Sequence, residues 1–297
     1  MTLRIGYLIQ AHDNPAHLRR LIRSLDHGQS RFFIHIDKKS DAGQFGDIGG
    51  SNVECIEARE AVYWGDFSQV QATLNLIDAA LRATPALERL VFIGGTDYPL
   101  RSAEAIHAFF AADPQREYIN LVQMPNEAAG KQLSRIALYH LRNNWPRALR
   151  PLRSVLLRLR VFPRARDYRR RLGELVPYAG SSWWALSRQA CQSIADFCRE
   201  RPDVVEFFKN TSCPDEGFFQ TILGNTPLRS RVASNLTYTA WSAGRASPDN
   251  LTLAHLPALM EAVRNGTNDV YGARQFLFAR KFSDAQSAVV DQIDALR

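Results

Sequence analysis

The sequence has no uninterrupted apolar run long enough to cross a bilayer: the N-terminal one extends only from Ile5 to Ile9 before Gln10, His12 and Asp13 end it. That stretch is also too short for the apolar core of a secretory signal. Cysteine is scarce. Cys55, Cys191, Cys198 and Cys213 lie far apart or seven residues apart, with no C-x-x-C, which fits unpaired thiols in a reducing compartment and removes the need for a disulfide scaffold. Neither G-x-G-x-x-G nor G-x-x-x-x-G-K-[ST] occurs, so dinucleotide and P-loop readings lack their glycines. None of the eighteen aspartates forms a D-x-D, and there is no H-E-x-x-H or Cys/His quartet. These absences argue against a metal held on a nucleotide diphosphate by a paired-acid turn. A G-x-S-x-G elbow is missing too, leaving no support for a serine triad.

What is present belongs to a compact body. With 297 residues, 45% hydrophobic and 23% charged, the chain can bury a substantial core as one large α/β domain or two small ones. The net charge of +7 is concentrated: eleven arginines lie between Arg142 and Arg171, against the single acid Asp167. Such a segment suits nucleic acid, an anionic membrane surface or an anionic substrate, or is simply a solvated helical face.

Arg4 to Ala11 reads as a strand, and Asn14 and Pro15 can cap and open a helix carrying Leu18, Leu21, Ile22 and Leu25 at helical spacing. Phe32 to Asp37 and Val53 to Ile56 read as strands, Phe67 to Leu81 as a helix, and Leu90 to Gly94 as a buried strand. Strands alternating with helices predict a largely parallel sheet flanked by helices. A basic helical region is expected from about Gln132 to Leu172, followed by a strand near Tyr178 to Arg188 and helices over Gln189 to Glu200 and from Pro214. Polar groups gather where strands end: His12 and Asp13, Asp37 with two lysines, and Asp97. In open α/β sheets a ligand, usually a nucleotide, binds beyond those ends.

Glu216 sits near a helix start between Cys213-Pro214 and Phe218-Phe219. It is either a tuned general base or, with Asp215, a complement to the helix dipole. Lys281, in FARKF, either snorkels to solvent or faces an anion. Trp64, Trp183, Trp184 and Trp241 stand in or beside Gly/Ser-rich loops, where indoles stack on sugars or pack into the core.

Seven blocks in order resemble the core-2/I-branching β-1,6-N-acetylglucosaminyltransferase family, which includes peptide O-xylosyltransferases. They are YLIQAHDNP (7 to 15), FFIHIDKKSD (32 to 41), VYWGDFSQV (62 to 70), FIGGTDYPL (92 to 100), GSSWWALSR (180 to 188), CPDEGFFQTIL (213 to 223) and LFARKF (277 to 282). The resemblance implies a GT-A-like fold without the usual D-x-D and an inverting transfer from a UDP-sugar to an acceptor hydroxyl. It implies Glu216 as the base, matching the Glu of the family's P-D-E block, and Lys281 as one of two cations on the diphosphate. Arg245 is taken as the second. Asp37 and Trp64 are expected on the uracil and ribose side, and Trp183, Trp184 and Trp241, with Asp97, beside donor or acceptor sugar.

The expectation is therefore a single domain over 1–297, with a nucleotide-binding half (1–120), a basic helical insert (121–176) and an acceptor and catalytic half (177–297). It is expected to be an inverting, metal-independent glycosyltransferase of bacterial type. UDP-N-acetylglucosamine is the first candidate donor, ahead of UDP-xylose or another UDP-sugar, and a glycan or lipid-linked acceptor receives the sugar. The UDP-sugar is a co-substrate, and no cofactor or metal is expected. The expected location is the cytoplasm, with peripheral attachment to the inner face of the cell membrane as an option. The rivals are a non-catalytic UDP-sugar or glycan binder and a basic nucleic-acid binder. Retention of Glu216 and Lys281 argues against the first, and the lack of RNP-like or finger motifs against the second, so nucleic acid is not an expected partner. Leu149, Leu152, Leu156 and Leu159 at intervals of three and four, with Arg150, Arg153, Arg158 and Arg160 among them, fit a helix lying on an anionic membrane or packed on a core.

Overall fold

The computed structural model describes all residues except 1, 2, 144, 146, 163, 243, 245 and 246. Its first half alternates strand and helix: β1 (Ile5–Ala11), α1 (Pro15–Leu25), β2 (Ser30–Ile36), β3 (Val53–Cys55), α2 (Phe67–Arg82), β4 (Arg89–Gly94), β5 (Asp97–Pro99), α3 (Ala103–Ala112) and β6 (Glu117–Ile119). There follow α4 (Arg150–Arg158), β7 (Trp184–Ser187), α5 (Arg188–Glu200), α6 (Phe218–Gly224), β8 (Val232–Ala233), β9 (Thr237–Thr239), α7 (Leu256–Asn265), β10 (Phe278–Arg280) and α8 (Ser287–Leu296).

The central sheet has seven strands in the order β8-β6-β7-β4-β1-β2-β3. β1 pairs in parallel with β2 and β4, β2 with β3, and β6 with β8, whereas β7 runs antiparallel to both its neighbours. Side chains alternate across the sheet and are buried on both faces, as its covered position requires. Tyr7, Ile9, Phe32, Ile34, Val91 and Ile93 join α1, α3 and α8 in one core. Leu8, Phe33, Leu90 and Phe92 join α2, α5 and α6 in the other. A smaller sheet, β9-β10-β5, lies beside it. The largely parallel α/β sheet flanked by helices is the architecture expected from the alternating pattern.

Two local readings are corrected. Asn14 does not cap α1: it lies in the left-handed region at φ 54°, and its Oδ1 accepts the Asp284 amide at 3.0 Å. Asp284 takes the capping role instead, its Oδ1 accepting the His17 amide at 2.7 Å, so the chain's end secures its first helix. The basic segment is not one long helix. It breaks into Ser134–Ala137, α4 and Tyr168–Leu172, because Leu138–Tyr139 pairs with Arg164–Ala165 in an extended ladder and Pro151 can stand only in the first turn of α4.

At the end of β7 farthest from the cleft described below, Arg89 and Glu117 are fully buried. Arg89 donates to the carbonyls of Arg116, Ala185 and Pro114, while Glu117 accepts the amide and hydroxyl of Ser187. The two charges stand 4.0 Å apart.

Candidate active site

Where β1, β2 and β4 end, Gln10 to Asp13, Asp37 and Lys39, and Gly94 to Thr96 meet at one edge of the sheet. They line a cleft of about 730 Å³. Because β7 is antiparallel, the residues before it, Gly180 to Trp183, arrive at the same edge. Gly180 is required there: a Cβ at this position would stand 1.8 Å from the Asn120 carbonyl oxygen. Its amide donates to the Glu216 carbonyl at 2.8 Å and so fixes the opposite wall.

Glu216 ends a short 3-10 turn, Pro214–Glu216, immediately before α6. Its side-chain Oε2 accepts from Lys131 Nζ at 2.7 Å and Arg135 Nη1 at 2.5 Å. Oε1 accepts no hydrogen bond from the described residues. Lys131 is buried, and both Lys131 and Glu216 line the cleft. Asp215 is buried at the wall of the same cleft and accepts from Ser182 Oγ. Burial, then the neighbouring Glu216 charge, pushes Asp215 up to about 6.

Arg280 and Lys281 line another part of the cleft. The β5–β10 register sets Arg280 opposite Asp97, 3.3 Å away, and its guanidinium lies 4.0 Å from the Trp183 ring centre. Asp97 is fully buried and also accepts the Gly94 amide at 3.0 Å. Burial raises Asp97 to about 6 despite Arg280. The Lys281 ammonium is held below its usual range, by burial and then by Arg280. Asp97 thus offsets the charge of Arg280, while Lys281 makes no ion pair within 4.0 Å among the described residues and feels the charges of Asp97 and Asp13 from farther off.

Of the residues singled out in the sequence, Glu216, Asp37, Trp64, Trp183, Trp241 and Lys281 all line the cleft. Trp64 and Trp241 are largely exposed at its rim. Trp184 does not fit its expected place: it is buried against Phe92 and Phe219, because consecutive strand residues face opposite ways and Trp183 takes the cleft side. Asp97 is corrected in the same way, from a sugar neighbour to a buried support for Arg280. Arg245 lies outside the described residues. The sequence reading missed Lys131, Arg135 and Arg280.

Among the described residues, no three His, Cys, Asp or Glu side chains gather as a metal site, and no helix is long and apolar enough to cross a membrane.

A family profile described as Core-2/I-Branching enzyme matches residues 5–261, and the chain belongs to that family. It is 25% identical over 261 residues to Xylosyltransferase 2 of Canis lupus familiaris, covering 81% of this chain and 27% of the relative. A Xylosyltransferase of Ciona intestinalis is 23% identical, covering 98% and 34%. Beta-glucuronosyltransferase GlcAT14A of Arabidopsis thaliana is 24% identical, covering 98% and 63%. The chain thus spans about a quarter to a third of the length of these xylosyltransferases.

Proposed function

We propose that this protein is a GT-A-type, inverting glycosyltransferase that moves a sugar from a UDP-sugar to a hydroxyl of a glycan acceptor without a metal ion. The observation that carries the reading is the division of labour at Glu216: Oε2 is held by two cations, and Oε1 is left for a proton. In the proposed step the acceptor hydroxyl gives its proton to Oε1 as its oxygen bonds to the anomeric carbon. The bond from that carbon to the diphosphate oxygen breaks, and UDP leaves with the electron pair. Lys281, with Arg280 behind it, meets the negative charge that grows on the leaving diphosphate. Asp37 and Trp64 serve the nucleoside side, and Trp183 and Trp241 the sugars.

UDP-N-acetylglucosamine is the first donor to test. The relatives' names add UDP-xylose and UDP-glucuronic acid to the panel. UDP release and ligand-induced melting shifts, measured for all three with and without excess EDTA, test the reading. One donor turning over in EDTA is expected. Strict dependence on added Mn²⁺ refutes metal independence, and no shift with UDP or any donor refutes the nucleotide site.

A further inference from the structure

Helix α4 leaves its apolar residues largely unused by the core. None of its residues is buried. Leu149, Leu152, Val155 and Leu159, spaced by three and four, fall on one side and are 48%, 50%, 50% and 67% exposed. A surface helix ordinarily spends such a stripe on the core. Arg153, about a quarter turn from the stripe's centre, ties the helix down beside the half-buried Leu156: it donates to the Arg142 carbonyl at 2.9 Å and to Asn143 Oδ1 at 2.5 Å. Asn143 in turn donates to the Trp64 carbonyl and to Asp66. The helix is therefore linked through Asn143 to the loop carrying the cleft's rim tryptophan, with its leucine and valine stripe about half exposed.

The segment that carries the stripe is strongly positive. Arg150, Arg158, Arg160 and Arg164 are exposed, and Asp167 is the one acid of the segment. A second copy of the chain is a poor occupant, since pairing two such faces sets arginine against arginine. An anionic bilayer surface answers both features, taking the leucines below its headgroups and the arginines among them. We propose that α4 docks the protein on an anionic lipid surface and thereby sets the cleft, through Asn143 and Trp64, beside that surface. Only the consequence that a lipid-linked glycan is then the nearest acceptor rests on the glycosyltransferase reading.

The test is co-sedimentation of the full chain with vesicles of phosphatidylcholine, alone or mixed with phosphatidylglycerol. Two variants accompany it: Leu152→Ser with Val155→Ser and Leu159→Ser, and Arg150, Arg158, Arg160 and Arg164 each →Gln. Wild type is expected on the anionic vesicles only and to be released by salt. Each variant should lose on the order of tenfold or more of its partitioning, since every basic residue at such a surface adds a several-fold attraction. Equal binding to both vesicle types, or variants that bind like wild type, overturns the proposal. Self-association without lipid that the serine variant abolishes also overturns it, in favour of a dimer. The substituted residues are exposed, so unchanged melting temperatures identify folded variants. A UDP-induced melting shift on the same samples reads the cleft separately.

Discussion

Lys131 Nζ lies 2.7 Å from Glu216 Oε2, across 85 positions of sequence, and the lysine itself is buried. A buried ammonium that close to a carboxylate fixes it in place. With Arg135 on the same oxygen, the carboxylate keeps a single orientation in which the other oxygen faces no protein donor among the described residues.

Glu216→Gln retains the shape and the 3-10 turn but cannot take a proton. Transfer should fall by roughly 10²- to 10⁴-fold, the usual contribution of general-base catalysis. UDP-induced melting shifts should persist. Activity within a few fold of wild type removes Glu216 from the chemistry.

Lys131 is a positioning residue. Lys131→Met should lower kcat by about tenfold or more with little change in the donor KM, because the donor's diphosphate is met elsewhere. Introduced into Glu216→Gln, the same change should cost far less, since residues acting as a unit are not additive. Full additivity in that cycle refutes the role.

For Lys281, the contrast between ligands is the readout. Lys281→Gln should weaken UDP by about 10- to 100-fold, the usual worth of a hydrogen bond to a charged group, and leave uridine nearly unchanged. Equal losses for both mean that Lys281 acts on the nucleoside or on folding.

The interior should also report on pH. His35 is fully buried and its Nε2 accepts the Glu60 amide at 2.8 Å, so the native ring is neutral. Burial lowers it to about 4. Between about pH 6.5 and 4 the unfolded chain therefore binds the extra proton, and stability is complete above that window and falls as pH drops through it. The loss approaches about 3 kcal/mol. Asp97 and Asp215, both raised to about 6, work in the opposite direction over much of the same range. Comparison with His35→Gln, whose amide oxygen can still accept and does not titrate, isolates the histidine: the gap between the two melting curves should narrow or reverse in favour of the variant as pH falls. Parallel pH profiles refute the assignment.

Gly180→Ala forces a methyl group into the Asn120 carbonyl and pulls the Gly180 amide from Glu216. Both melting temperature and turnover should fall, the latter more than in a variant matched for melting temperature. Wild-type behaviour means that the two segments can separate without consequence.

The alternation of strands and helices, and hence the sheet and the edge where polar groups collect, was legible from period and punctuation, which are local signals. Lys131 and Arg135 were not: they fall in a stretch outside the recognisable blocks, and their partner is more than eighty positions away. Arg280 carried no mark of its role because its meaning comes from register, which sets it against Asp97. The two adjacent tryptophans were within reach. A strand at Trp184 already demands that consecutive residues face opposite ways, so only one of the pair could reach the cleft. The exposure of the α4 stripe was beyond sequence, because the same spacing serves a helix packed on a core.

The direction of β7 divides the labour of its two ends. Its beginning delivers Gly180 to Trp183 to the ligand edge, and its end is locked by Ser187, Glu117 and Arg89. Reversal of a single strand thus gives the sheet an adaptable pole and a fixed one. Loop exchange among relatives should be tolerated before Trp184 and resisted after Ser187, where the tolerated changes are those that leave a buried charge its counter-charge.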